Sequence, residues 1–491
     1  MKKQLNCIYS RLKAMTSHSE TYRYEQIASQ VMHWIQQGTY RPGDRIPSLR
    51  QMSQQQSASI SAVLQAYSLL ENRGVIEVRP QSGYYVRDLP GKSLPEPEIS
   101  SPGLDPNHVN LHDLMMLIVR DSISPDVVQL GAAMPNLELL PTERLNRIST
   151  RLVRNADPSL HQYLLPPGFE PLRVQIARRA TQWGCDLSPS DIVITSGGIE
   201  AIDLCLHAVC KPGDIVAIES PMYFGTLQLL EVHGLKALEI PTNPREGLSL
   251  EALQFALEHN PIKAVLTISN FNNPLGSCMP DEKKQELVEL LARYDIPLID
   301  NDVSGELYYS GKRPWVTKAF DKKGLVMLCS SFSKDISPAL RVGWVAPGRF
   351  KSQIEWLKFT TSSATPNLSQ MVVAEFLESG GYDQHLRRIR REYARNVALI
   401  SQAVTRDFPS GTRVTRPSGG FVLWVQLPDR IDSLELYTLA LRSGISLTPG
   451  ALFSPSNQFF NFIRINAAVW TIPIERALLR LGEMVSGLQP R

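Results

Sequence analysis

The sequence predicts two folds in one chain. A small α+β module of three helices and a two-stranded ribbon comes first, followed by a large α/β domain on a mostly parallel sheet. Three observations carry this. Apolar residues recur at helical spacing, punctuated by serine caps, through residues 22–87; a proline-rich stretch, 88–112, follows; and short Ile/Val-rich runs then alternate with helical stretches. The domain plan is an N-terminal extension (1–21), the helix–ribbon module (22–87), a linker (88–112) and the large domain (113–491).

In the module, Tyr24, Ile27, Ala28, Val31, Trp34 and Ile35 line one face of a first helix, which Gly38 ends. Ser48 caps a short second helix. Ser59 caps a third, whose buried face is Val63, Ala66, Tyr67 and Leu70, with Gly74 after its end. Val75 to Val86 then alternates as a ribbon, with Ser82-Gly83 near the turn. Three helices and a ribbon make a winged helix-turn-helix. Its charge fits: residues 1–87 hold 11 Lys and Arg against 5 Asp and Glu, a net +6, and the remainder holds 40 against 43, a net −3. A basic segment on an acidic body points to a polyanion at one end.

Asp88 to His112 contains Pro90, Pro95, Pro97, Pro102 and Pro106 and few apolar residues, so a semi-extended linker is expected there. In the large domain the apolar runs are Ile192–Thr195, Ile215–Ile218, Ala237–Ile240, Ala264–Ile268, Pro297–Ile299, Leu325–Leu328 and Val342–Val345. Such runs read as strands buried on both faces, and ligands sit at the strand ends of sheets of this kind.

Residues with chemistry follow these runs. Ser196-Gly-Gly198-Ile199 opens a helix, whose backbone amides suit a phosphate. Tyr223 can stack on a ring, and Asn273, in Asn-Asn-Pro-Leu-Gly276, can donate a hydrogen bond. The densest signal is Ser331-Phe-Ser333-Lys334, with Arg341 seven residues later. A lysine that forms an imine needs a desolvated setting, and two hydroxyls with a guanidinium beside it suit a dianion. An aldehyde that carries a phosphate and is held by lysine reads as pyridoxal 5′-phosphate.

Several function classes are excluded. A hydrophobic fraction of 43% and a charged fraction of 20% are ordinary for a soluble globular protein, and no apolar run approaches a membrane span. The six cysteines show no paired spacing, so neither a disulfide framework nor a zinc site is expected, and no metal is called for. The first residues lack the apolar core of a signal peptide, which with free thiols predicts a cytoplasmic protein.

The motifs also carry a resemblance. Pro-Gly-Asp-Arg45-Ile-Pro-Ser48-Leu-Arg50, Ala-Tyr67-Ser-Leu-Leu-Glu and Ser82-Gly-Tyr-Tyr-Val86 resemble the GntR family of DNA-binding domains. The likeness implies that Arg50 and the start of the third helix (Ser59, Ile60, Ser61) face double-stranded DNA. Arg45 would sit on phosphate or brace the turn, and Ser82 and Gly83 would approach the groove or backbone. From residue 113 onward the chain resembles the fold-type I, aspartate aminotransferase-like enzymes, which pair a large domain with a smaller α/β subdomain. GntR-like head plus aminotransferase-like body resembles the MocR/GabR group of bacterial transcriptional regulators. By that likeness Gly198, Ile199, Ser331, Ser333 and Arg341 hold the cofactor phosphate, Tyr223 stacks on the ring, Asn273 bonds its phenolic oxygen and Lys334 forms the internal aldimine. Arg464, in Phe462-Ile-Arg-Ile-Asn466, would clamp a ligand carboxylate, and Tyr163 would reach the phosphate site of the other subunit of a homodimer.

Two positions depart from the pattern. Aligned on Glu306-Leu307, Asn301 stands where the family has the aspartate that pairs with the pyridine nitrogen, and Ser304 replaces a tyrosine. A slip that puts Asp302 there conflicts with strand alternation. At the third helix, Ser-Ile-Ser-Ala lacks the arginine and threonine frequent in the GntR family, so an unusual DNA site is expected. An amide cannot hold a proton on the ring nitrogen as a carboxylate does, so transamination should be weak or absent. The favoured reading is a regulator that senses an amino-acid-like or amine effector through exchange at Lys334. The alternative is an active aminotransferase with a vestigial DNA-binding domain.

Overall fold

In the computed structural model the described residues are 23–36, 40, 44–72, 75–79, 82–86, 94–103, 105–112, 115–116, 127–156, 158–429, 431–456 and 458–488. The extension 1–21, Gly38 and Gly74 lie outside them. The chain divides into two compact units, Met1–Gly91 and Lys92–Arg491.

In the first unit, helices Arg23–Gln36, Leu49–Gln55 and Ile60–Asn72 precede an antiparallel ribbon of β1 (Ile76–Arg79) and β2 (Gly83–Val86). Ser48 and Gln51 form a capping box, and the Ser59 hydroxyl accepts from Ala62 N at 3.1 Å. Ile27, Val31, Val63, Ala66, Tyr67 and Leu70 are buried in one core. The Tyr67 hydroxyl donates to Pro47 O at 2.7 Å, so the core tyrosine's polar end is satisfied.

The second unit runs β3 (Asn107–His108), β4 (Val128–Gln129), β5 (Val193–Thr195), β6 (Ile215–Ser220), β7 (Lys236–Asn243), β8 (Gly247–Leu248), β9 (Ile262–Thr267), β10 (Leu298–Asn301), β11 (Val326–Ser331) and β12 (Gly343–Ala346), then β13 (Arg413–Val414), β14 (Val422–Gln426), β15 (Ile445–Ser446), β16 (Thr448–Pro449) and β17 (Phe462–Asn466). The main sheet has the order β3-β7-β6-β9-β10-β11-β12-β5. The pairs β7–β6, β6–β9, β9–β10 and β10–β11 are parallel, and β12 runs antiparallel to both neighbours. All seven apolar runs of the sequence become strands of this sheet, and their strands are buried on both faces as parallel sheets require. A four-stranded sheet, β13-β14-β17-β16, forms the smaller subdomain with the helices Ser433–Arg442 and Ile472–Gly487.

Most of the stretch expected as a linker, 88–112, is docked where it is described. From Leu94 onward the described residues pack on the large unit: Pro95 O accepts from Val414 N at 3.0 Å, β3 pairs with β7, and Val109 and Leu111 are buried. Proline removes backbone donors, but an extended segment can still dock through its carbonyls and side chains. Proline content therefore marks extension without separating a free linker from a docked strap.

Candidate functional site

The first unit exposes the start of its third helix. Ile60 is 50% exposed at the first turn of the third helix, and Ser59, Ser61 and Arg50 are exposed as well. Leu64, which the motif reading passed over, is exposed one turn further along. Arg45 pairs by backbone with Tyr85 in β2, and its guanidinium lies against Gly83, where φ is +117° and a methyl would come 3.1 Å from Nε. Arg45 thus packs on the ribbon through both its backbone and its guanidinium. Ser82 Oγ and the Tyr85 hydroxyl lie 2.6 Å apart and hold the turn. Arg50→Ala is expected to weaken DNA binding at all sequences alike. It should lower the slope of log K against log[salt] by about 0.9 if one phosphate contact is lost; fluorescence anisotropy across a salt series measures it.

In the second unit, parallel strands deliver the predicted residues to one end of the sheet. β5 leads into Gly197 and the helix Gly198–Val209, β6 into Tyr223, β9 into the loop with Asn273, β10 ends on Asn301 and β11 on Ser331. This is where open α/β sheets bind ligands. Gly197 has φ +94°, and any β-carbon there would collide with Nη2 of Arg341. Arg341 itself has φ +51°, a left-handed conformation that costs a non-glycine residue about 1 kcal/mol or more. Its guanidinium donates to Ser196 O at 3.1 Å and reaches Ser333 Oγ at 3.5 Å. Ser331 Oγ lies 3.6 Å from where a Gly198 side chain would begin. Two hydroxyls, a guanidinium and a helix N-terminus thus surround one spot, and Ile199 continues the first turn of that helix. The donors are those of a phosphate cradle.

Lys334 Nζ donates to Ala133 O at 2.8 Å. Burial, with the charges of Arg464 and Arg341, pushes its pKa down to about 8. A lowered lysine pKa means that the neutral, nucleophilic amine gains as pH rises through about 8 rather than through 10.5. In the ligand-free protein, competitive acetylation of Lys334 should rise about tenfold per pH unit below that midpoint and level off above it. A midpoint near 10 would remove the desolvated-lysine argument.

Arg464, on β17, is fully buried. It donates to Asn273 Oδ1 at 3.1 Å and Gly131 O at 2.7 Å, and lies over the adjoining rings of Phe224 and Phe453 at 5.4 and 5.2 Å. Among the described residues no carboxylate forms an ion pair with it, and its Nε has no partner. Burial pushes its pKa down to about 10. An internal ion pair, the bland role for a buried arginine, is therefore not what holds it. Burial raises the pKa of the Tyr223 phenol, partly opposed by the nearby Arg464, and its ring meets Phe224 at 4.8 Å.

Asn301 is buried, and its Oδ1 has no hydrogen-bond partner among the described residues. Its chain neighbours, Asp300 in β10 and Asp302 just after it, face the other way. Asp300 accepts from Ser269 and Thr317, and Asp302 pairs with Arg313 and accepts from Asn270 at 2.9 Å. Asp302 is engaged behind the sheet, which removes the slip that would have put it at the Asn301 position. Glu306 is held by Arg390 at 2.8 Å, Arg179 at 3.3 Å and the Trp183 indole at 2.9 Å, which pins the turn that carries Ser304. Tyr163 is 82% exposed.

Sequence reasoning missed the segment Gly131–Met134. Its carbonyls receive Arg464, Lys334 and, at 3.0 Å, Asn466 Nδ2. Backbone acceptors leave no trace in side-chain motifs; the one signal was Gly131, where a β-carbon would meet the Leu447 carbonyl carbon at 2.7 Å.

Residues 125–480 match the model of the aminotransferase class I and II family, and residues 23–86 that of the gntR family of bacterial regulatory proteins. The uncharacterized HTH-type transcriptional regulator YjiR of Escherichia coli is 40% identical over 464 residues, 94% of this chain and 98% of YjiR. The kynurenine aminotransferase of Pyrococcus horikoshii, solved with PMP, superposes with a TM-score of 0.71 at 30% identity, over 76% of this chain and 94% of that one. LysN, the α-aminoadipate aminotransferase of Thermus thermophilus, solved with N-(5′-phosphopyridoxyl)-L-leucine, gives 0.70 at 27% identity, over 75% and 94%. The family's fold, these complexed neighbours and the donor set above indicate pyridoxal 5′-phosphate as the cofactor. No helix among the described residues is long and apolar enough to cross a membrane. The chain therefore belongs to the class I and II aminotransferase family and joins that fold to a GntR-type helix-turn-helix head, the arrangement of a DNA-binding, pyridoxal-phosphate-dependent regulator.

Proposed function

We propose that this protein is a cytoplasmic, homodimeric transcriptional regulator whose large domain reads an amino compound that bears a carboxylate. One observation carries this reading: Lys334, Arg341 and Arg464 converge, and none is ion-paired with a carboxylate among the described residues. A fully buried arginine without a counter-charge costs several kcal/mol, so Arg464, with the half-buried Lys334 and the exposed Arg341 beside it, suits anions that arrive from outside. A phosphate on Arg341, Ser331, Ser333 and the amides of Gly198 and Ile199, with an effector carboxylate on Arg464, supplies them.

When bound, pyridoxal phosphate supplies an aldehyde carbon that condenses reversibly with primary amines. Lys334 offers a partly neutral amine, held by the Ala133 carbonyl until it is displaced. Tyr223 walls the ring site, and Asn273 stands beside Arg464. The Asn301 amide can hydrogen-bond to a ring nitrogen, but it brings no charge to keep a proton there, so the electron demand of transamination goes unmet. Binding and exchange remain, which is what a sensor needs: differential affinity between two states rather than turnover. Tyr163, exposed in one chain, would complete the phosphate site of the partner subunit in the dimer.

The test is the absorbance spectrum of the protein with pyridoxal phosphate, beside Lys334→Ala. A visible band in the wild type that is lost in the variant is expected. Absence of the band in the wild type would mean that Asn301 and Ser304 have cost the site its cofactor.

A further inference from the structure

The strap that replaces most of the expected linker touches both subdomains. On the small-subdomain side, Pro95 O accepts from Val414 N at 3.0 Å, Leu94 O from Arg416 Nη2 at 2.6 Å, and Glu98 pairs with Arg413 at 2.8 Å. On the large-sheet side, the Ser100 hydroxyl donates to Ser220 O at 2.6 Å and accepts from Thr242 N at 3.0 Å. Glu96 does both at once: Oε1 accepts from Arg416 N at 3.2 Å, and Oε2 pairs with Arg245, in the turn after β7. Its carboxylate therefore spans the seam.

The two anchoring surfaces also carry the two halves of the ligand site. Val414 is on β13, two strands from Arg464 in the same sheet, and Ser220 ends β6, three residues before Tyr223. Lys334 and the phosphate cradle belong to the large sheet. A ligand with its amino group at Lys334 and its carboxylate on Arg464 fixes the separation of the subdomains. Pro95 and Ser100 are five residues apart, and an extended chain covers at most about 3.5 Å per residue. A strap this short, fixed at both ends, feels a change in that separation at its anchoring hydrogen bonds.

We propose that residues 94–100 are a tether pinned to both sides of the seam between the subdomains. Glu96 is its bridging residue, and the tether passes the state of the ligand site to the chain segment that precedes Lys92. This rests on the ligand reading above, and it names how that site is coupled outward. Glu96 is a positioning residue that touches no ligand.

The experiment uses the full chain and a fixed probe, N-(5′-phosphopyridoxyl)-L-alanine, which carries both phosphate and carboxylate. Calorimetry measures binding, and hydrogen–deuterium exchange follows residues 94–100 and 413–416. Relative to pyridoxal phosphate alone, the conjugate should change exchange of the strap by about fivefold or more. Glu96→Ala and the milder Glu96→Gln should reduce that response while conjugate affinity stays within about twofold of wild type. Conjugate that binds with no change in strap exchange overturns the tether and leaves the ligand site standing. Conjugate that fails to bind wild type overturns the ligand reading and the tether with it.

Discussion

Arg464→Met is expected to weaken binding of an amino-acid conjugate of pyridoxal phosphate by about a hundredfold, in line with the roughly 2–5 kcal/mol seen when one partner of a buried, hydrogen-bonded charge pair is truncated. The same change should leave the ligand-free fold within about 1 kcal/mol of wild type, against the roughly 3–5 kcal/mol lost when a buried pair is broken. The reason is that Arg464 is buried with neutral partners only among the described residues. Removing it takes away an uncompensated charge, and this offsets the orphaned acceptors at Gly131 and Asn273. Calorimetry with N-(5′-phosphopyridoxyl)-L-alanine and thermal unfolding read the two halves separately. A large drop in melting temperature with unchanged affinity would make Arg464 a structural residue and remove the carboxylate clamp.

Asn301→Asp is expected to raise transamination with amino acids by about a hundredfold, within the range that a positioned charged group contributes to proton-transfer chemistry. Asn301 ends β10 with its side chain on the face opposite Asp300 and Asp302, and its Oδ1 is free of protein partners among the described residues. A carboxylate in that place favours a protonated ring nitrogen, which strengthens electron withdrawal. Keto-acid formation over time, wild type beside variant, measures it. If wild type already turns over at an ordinary enzymatic rate of about 1 s⁻¹ or more, the sensor reading gives way to an aminotransferase. If Asn301→Asp is no faster, another residue limits the chemistry, and Ser304 is the first to change.

Much of this was legible in the chain. Strands β5 to β7 and β9 to β12 appeared as apolar runs because both faces of a parallel sheet are buried and the signal is continuous. Ser48 and Ser59 appeared as caps because an orphan amide at a helix start needs a side-chain acceptor a few residues away, a purely local demand. The cradle residues Ser331, Ser333 and Arg341 lay within one short window, although the helix start at Gly198 joins them only in the fold.

Other features depend on distant residues. The sequence could place Arg464 in a motif, but that it has no ion-pair partner among the described residues depends on groups hundreds of positions away, Gly131 and Asn273 among them. Alternation along β10 could argue against Asp302 at the ring; only the Arg313 pairing shows where that carboxylate is engaged instead. The strap was unreadable for the same reason: Glu96 meets Arg245 and Arg416, 149 and 320 residues downstream. What the sequence by itself determined is what local geometry dictates: the elements and their caps. What the tertiary structure alone decided is which buried charges go unpaired and which segments bridge subdomains, because electrostatic compensation is a property of the packed neighbourhood and not of the chain.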